Sequence, residues 1–203
     1  MTNNPFFLLL LGAAGLYLGK LWLDDVRAAR AGQPNQRAFP GATPARPAAV
    51  AIAVTGALVL LAIETLGENA LGLSAQQSRI TWLFGFYSLT AAIIEEVVFR
   101  GYLVVEGRGR AAWWAGAVAA SVAFAALHPF LWKWDDSGFA LTFGAKGALS
   151  TGVVFATSLW LYVARFVPWN PSRSLLPCIA AHAAKNAGVV AIKFAQGFVG
   201  GMW

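Results

Sequence analysis

The chain has little that titrates and almost nothing that crosslinks. Of 203 residues only 12% are charged, two are histidine and one, Cys178, is cysteine. A single cysteine excludes an intramolecular disulfide framework and a cysteine-based metal site. Cys178 follows Pro177 and reads as a small buried thiol rather than a nucleophile, with no basic or metal-binding surroundings to activate it. No GxGxxG or GxxxxGK[ST] loop is present, so nothing points to a nucleotide. There is no HExxH zinc pattern and no internal repeat of useful length.

What is abundant is apolar. Hydrophobic residues make up 58% of the chain, with nine Trp and 14 Phe, a composition that belongs to a polytopic membrane protein. A spanning helix needs about 20 apolar residues. Six stretches qualify as spans: Phe6–Leu23, Ala48–Leu66, Ile80–Val104, Ala111–Leu131, Gly147–Phe166 and Leu175–Val199. The expected fold is therefore all-α, a transmembrane helical bundle of about six spans forming a single membrane domain over residues 1–203. The first stretch follows a short uncharged leader without the basic region of a cleavable signal, and reads as a retained span.

The net charge of +6 resembles a nucleic-acid footprint until its distribution is followed. Arg27, Arg30, Arg37 and Arg46 lie between spans one and two. Arg100, Arg108 and Arg110 lie between three and four, and Arg165 and Arg173 between five and six. The opposite loops mix Arg79, Lys133 and Lys146 with Glu68, Asp135 and Asp136. Every second loop is basic, which is the positive-inside pattern. No nucleic acid is implied. Both termini are then expected outside, in an integral multi-pass protein of a prokaryotic cell membrane surrounded by lipid. Residues 24–47, with Pro34, Pro40, Pro44 and Pro47, read as an irregular cytoplasmic loop, a solvated linker facing lipid headgroups. Trp132 and Trp134 read as an interfacial belt, with Trp113, Trp114 and Trp169 on the other side.

Against that background a few polar residues stand where lipid should be. Glu95 and Glu96 are adjacent inside the third span, and a charge at bilayer depth costs about 2.5–3.5 kcal/mol on insertion scales. Two neighbouring carboxylates also resist joint ionisation. Arg100 follows Glu96 at i+4, so that pair shares a helix face while Glu95 points about 100° away. His128 ends the fourth span. His182 and Asn186, also four apart, lie on the sixth. Both histidines of the chain are thus intramembrane. This set suits hydrolysis: a carboxylate beside an imidazole can orient a water and take its proton. A second imidazole and an amide can donate to the oxyanion of an attacked carbonyl. The same groups could instead only tie helices together by interhelical hydrogen bonds. Lys185 and Lys193 could snorkel, pair with Glu64 or touch substrate.

Three of these segments match motifs in order: Glu95-Glu96-Val-Val-Phe-Arg100 resembles EExxxR, Phe124-Ala-Ala-Leu-His128 resembles FxxxH, and His182-Ala-Ala-Lys-Asn186 resembles HxxxN. Together, over a core of residues 80–190, the chain resembles the CPBP family of type II CAAX prenyl endopeptidases and bacteriocin-processing or immunity proteins. The resemblance implies a glutamate-type intramembrane endopeptidase acting on a peptide or protein substrate, a lipidated one included. It implies that Glu95 with His128 activates the water and that His182 with Asn186 forms the oxyanion hole. Glu96, Arg100 and Phe124 would support them. No cofactor is expected; zinc held by His128, His182 and a Glu is the alternative. Two other functions compete: a non-catalytic immunity or partner-binding protein on the same scaffold, and a proton-coupled transporter, which the lack of an inverted repeat disfavours.

One geometric conflict accompanies this reading. With straight helices rising 1.5 Å per residue, Glu95, His128 and His182 fall roughly 16, 25 and 10 Å from the cytoplasmic ends of their spans. A single site requires tilt, broken helices or shifted ends, with Gly101, Pro129 and Pro177 as available breaks.

Overall fold

The computed structural model describes residues 4–135 and 138–203. Asp136 and the side chain of Asp135, both counted above with the loop charges, lie outside that description. Six helices follow one another: α1 (Pro5–Arg30), α2 (Pro47–Ala70), α3 (Trp82–Glu96), α4 (Arg110–Leu127), α5 (Ala145–Phe166) and α6 (Leu176–Ala195). Each expected span has its helix, and the bundle is all-α apart from one short hairpin. By length and composition five of the helices can cross a membrane, with only 22–39% of each apolar window buried inside the protein. The rest of that surface, including Leu10, Tyr17, Val59, Ile63 and Leu66, faces outward, as a lipid-facing surface must. α6 is set apart from the five by His182, Lys185, Asn186 and Lys193, which lower its hydropathy.

Small residues allow the close packing. The buried positions of α1 are Leu8, Gly12, Gly15, Gly19, Trp22 and Val26, a seam repeating every three or four residues on one helix face. This glycine-lined seam lies against α3. A Cβ on Gly15 would come 2.7 Å from the carbonyl oxygen of Thr90, and one on Gly19 2.9 Å from the Ile93 side chain, so the helices approach backbone to side chain. On α2, Ala49, Ala53, Ala57 and Leu61 form a stripe four residues apart against α5 and α6. The indole of Trp160 on α5 crosses Gly56 and donates to the Ala53 carbonyl at 2.9 Å.

Three local features depart from the sequence expectation. First, α3 does not run evenly to Val104. It passes into a π-helical turn over Val97–Tyr102, where Leu103 N–H reaches back to the Val98 carbonyl at 2.9 Å. The wider ring leaves carbonyls without ordinary helical partners, and the Tyr162 hydroxyl of α5 lies 2.6 Å and 3.0 Å from those of Phe99 and Leu103. Second, α4 ends at Leu127 rather than Leu131. The chain then turns through Pro129, which cannot extend a helix, into an antiparallel hairpin, β1 (Trp132–Asp135) with β2 (Gly138–Leu141). Part of the expected aromatic belt is therefore a hairpin, with Trp134 and Phe139 exposed.

Third, residues 24–47 are not all a solvated linker. α1 extends to Arg30, and only residues 31–46 are irregular. Their second half folds onto the bundle: Ala42 is buried, and Thr43 Oγ1 donates to the Ser172 carbonyl at 2.9 Å. Ser172 Oγ donates to the Pro44 carbonyl and Ser174 Oγ to that of Thr43, each at 2.6 Å. Asn170 ties off the other segment of this plug, with its Nδ2, which has two hydrogens to donate, 2.9–3.2 Å from the carbonyl oxygens of Ala164, Arg165 and Ser174. Composition rich in Pro and Gly looked solvated, but long-range bonds satisfy its backbone inside the protein. The plug closes the arginine-rich end of the bundle, and α6 starts at half-buried Leu176, just after the fully buried Leu175.

Candidate active site

The helix ends resolve the depth conflict. α4 stops one residue before His128, α6 begins beneath the plug, and α3 carries its glutamates just before the π-helical turn. His182, six residues into α6, thereby reaches both glutamates. Its Nδ1 is 2.7 Å from Glu96 Oε1, and its Nε2 is 3.6 Å from Glu95 Oε2. The ring of Phe124 is the hub between helices, with its centroid 4.8 Å from that of His128, 6.0 Å from that of His182 and 4.9 Å from that of Phe99.

The two adjacent carboxylates occupy different surroundings. Glu96 and Arg100 are fully buried, with Arg100 Nη1 3.0 Å from Glu96 Oε1. Arg100 also donates from Nη2 to Ser158 Oγ at 2.7 Å, and Ser158 to Ser121 Oγ at 2.9 Å. Its guanidinium lies 4.6 Å over the Phe124 ring and 5.3 Å over that of Tyr162, a cation–π cage that replaces part of the lost hydration. Among the described residues Glu96 Oε2 and Arg100 Nε have no hydrogen-bond partner. Glu95, by contrast, keeps 31% of its side chain exposed. One carboxylate is locked in the core and the other has access to what enters from outside.

The hydrogen bonds assign imidazole roles. His128 Nδ1 is 2.8 Å from the Phe124 carbonyl. A carbonyl only accepts, so Nδ1 carries the proton and the Nε2 lone pair of the neutral ring is free. His182 Nδ1 faces a carboxylate oxygen that likewise only accepts, which leaves its Nε2 toward Glu95. No hydrogen bond joins Glu95 to His128 among the described residues, although the two are electrostatic neighbours. Asn186 Nδ2 donates to the Ser88 carbonyl of α3 at 2.8 Å, which fixes the amide and uses one of its two hydrogens.

Sequence reasoning paired Glu96 with Arg100 and put both histidines near Glu95. The structure adds that Glu96, not Glu95, makes the short bond to His182. It also shows a shell that reasoning passed over: Ser121, Ser158, Tyr162 and Phe99 around Arg100. A signal for it existed in the helix spacing. Ser121, Phe124 and His128 fall at i, i+3 and i+7 on one face of α4, and Ser158 and Tyr162 at i, i+4 on α5. Lys185 pairs with Glu64 at 3.1 Å, and Lys193 Nζ donates to Gln77 Oε1 at 2.8 Å and to the Ser78 carbonyl at 2.7 Å, which settles two side chains the sequence left open. For zinc, His128, His182 and a glutamate would be the donors. Among the described residues no three such side chains are grouped to hold a metal ion.

Residues 77–188, more than half of the chain, match the family model described as type II CAAX prenyl endopeptidase Rce1-like. Neither the curated proteins nor the solved structures give a match.

Proposed function

The chain belongs to the type II CAAX prenyl endopeptidase Rce1-like family of membrane proteases, and we propose that it hydrolyses a peptide bond of a membrane-associated or lipidated substrate with a water activated by Glu95 and His128. The observation that carries this reading is that Glu95 and Glu96 of α3 flank His182 of α6, while His182 and His128 meet on the Phe124 ring of α4.

Glu95 is the accessible carboxylate, so it is the group that can hold water and accept its proton. His128 presents an unprotonated Nε2 because its other nitrogen is spent on the Phe124 carbonyl, and it fixes the water from the second side. The hydroxide oxygen attacks the substrate carbonyl carbon, and the carbonyl electrons move onto oxygen. With His182 as the imidazolium, bonded through Nδ1–H to Glu96, its Nε2–H and the remaining Asn186 N–H donate to that oxyanion. Collapse of the intermediate re-forms the carbonyl, breaks the C–N bond and passes the proton from Glu95 to the leaving nitrogen. Glu96 orients His182 through Nδ1, and Arg100 balances the buried charge of Glu96. For a lipidated substrate, the groove between α3 and α6 is suited to the apolar chain. It holds about 440 Å³ and is walled by Trp82, Phe86, Leu89, Ala187, Val190 and Phe194, and Asn186 with Ser88 lies beside it.

The test is cleavage of a quenched fluorescent peptide by the purified protein in nanodiscs, with and without a prenyl group on the peptide. Glu95→Gln should lose roughly 10²–10⁴-fold in turnover while folding normally, the range expected for removing a general base. Full activity in a folded Glu95→Gln protein would refute the assignment.

A further inference from the structure

A second group of charged side chains lies inside the bundle, away from the arginine-rich end. Lys185, one turn beyond His182 on α6, bonds Glu64 of α2 at 3.1 Å, with 8% and 14% of the two side chains exposed. Glu68, one turn further along α2, pairs with Lys146 of α5 and accepts from Gln77 Nε2. Gln77 in turn accepts from Lys193 of α6 at 2.8 Å, and the same ammonium donates to the carbonyl and hydroxyl of Ser78 at 2.7 and 3.3 Å. Glu64 lies within electrostatic reach of Lys146 and Lys193, and Lys185 within reach of His128. Charged and polar groups are thus spaced from the candidate active site to Ser78, which is exposed at the end of the bundle that carries the hairpin.

Interhelical ion pairs alone do not account for this arrangement. The group holds three lysines and two glutamates, and Lys193, 8% exposed, has only neutral acceptors among the described residues. Glu64 reaches that ammonium only through space, and an ammonium with no directly bonded carboxylate in a dry, low-dielectric interior costs several kcal/mol. Charged side chains within membrane segments face water-filled cavities or one another. The opposite end, meanwhile, is shut: Ala42, Asn170, Ser174, Leu175 and Cys178 are each no more than 4% exposed, and Arg100 is fully buried. His128 stands at the end of α4 on the open side.

We propose that Glu64, Glu68, Lys146, Lys185 and Lys193 line the aqueous route by which hydrolytic water reaches Glu95, and that this route opens at the hairpin end of the bundle. The purpose of the route rests on the hydrolytic reading, but its existence is tested without any cleavage. Val189 lies four residues from both Lys185 and Lys193, on their face of α6. Val189→Cys is reconstituted in liposomes, with Cys178 as the buried background thiol. A sulfonatoethyl methanethiosulfonate that cannot cross the bilayer is added from one side at a time. Ala75→Cys and Ala31→Cys, both exposed positions, mark the hairpin end and the arginine-rich end. Ile63→Cys, next to Glu64 but on the outward face with 54% exposure, is the lipid-facing control.

The expected result is modification of Val189→Cys with the sidedness of Ala75→Cys, at least about tenfold faster than Ile63→Cys, because the reactive thiolate forms only in water. The sidedness of Ala31→Cys, or no reaction at Val189 while Ala75→Cys reacts, overturns the proposal. Thr65→Cys, beside Glu64 on the inward side of α2, replaces Val189→Cys if that variant does not assemble. A labelled route in a protein that cleaves nothing would refute the peptidase and leave the route standing; an unlabelled route in an active protease does the reverse.

Discussion

Arg100→Leu is the perturbation that most directly probes how the site is held. It removes a fully buried guanidinium that donates to Glu96 at 3.0 Å and to Ser158 at 2.7 Å and lies 4.6 Å over Phe124. The stranded carboxylate retains only His182. Breaking a buried pair from one side costs about 3–5 kcal/mol, and for a chain of this size each kcal/mol moves Tm by about 2–4 °C, so a fall of roughly 6–20 °C is expected. The protein supplies its own reporter. Cys178 is its only cysteine, wholly buried with Sγ 3.2 Å from the Leu161 carbonyl, so a thiol-reactive fluorogenic dye brightens only on unfolding. The double variant Glu96→Gln/Arg100→Leu removes both charges and keeps an amide oxygen for His182. It should recover most of the lost stability, since replacing both members of a buried pair is often close to neutral, and more so here because Glu96 Oε2 and Arg100 Nε find no partner among the described residues. A Tm for Arg100→Leu within about 2 °C of the parent refutes the argument. Equal losses in the single and double variants would assign the effect to packing on Phe124 instead of charge.

Two further predictions address the scaffold. Gly15→Ala places a methyl 2.7 Å from the Thr90 carbonyl oxygen, whereas Gly12→Ala meets nothing closer than 3.6 Å. The first should lose about 1–3 kcal/mol by forcing α1 off α3, and the second should be tolerated; the same dye melt compares them. Tyr162→Phe deletes the hydroxyl that serves the Phe99 and Leu103 carbonyls in the π-helical turn. It should cost about 1–3 kcal/mol, the penalty for a buried acceptor left unsatisfied, and an unchanged melt would show that the turn needs no partner.

How far the site was legible depended on whether its contacts were local. Glu96 and Arg100 are four residues apart on one helix, so their pairing followed from the helical period. The number and order of helices followed from apolar runs whose lengths the bilayer sets. The π-helical turn was not legible, because a period of 3.6 was assumed through Gly101 and no residue type announces the wider ring. The folded-back loop was hidden for a different reason. Thr43, Ser172 and Ser174 are ordinary loop residues, and only their meeting across some 130 positions of sequence turns polar punctuation into a plug. The end of α4 was misplaced by reading Phe130 and Leu131 as span, although Pro129 had already signalled the break.

The adjacency of Glu95 and Glu96, costly as it is at membrane depth, follows from the shape of the ring they both address. The two nitrogens of an imidazole lie on different edges. Carboxylates one turn apart on a helix would arrive from the same direction and compete for one of them. Residues i and i+1 diverge by about 100°, so Glu96 reaches Nδ1 of His182 at 2.7 Å while Glu95 stands 3.6 Å from Nε2. The same divergence separates their surroundings, burying Glu96 against Arg100 and leaving Glu95 partly exposed. A substitution that kept both charges but changed their spacing would keep the composition and lose this bracket around His182, so the positions of the two carboxylates matter as much as their number.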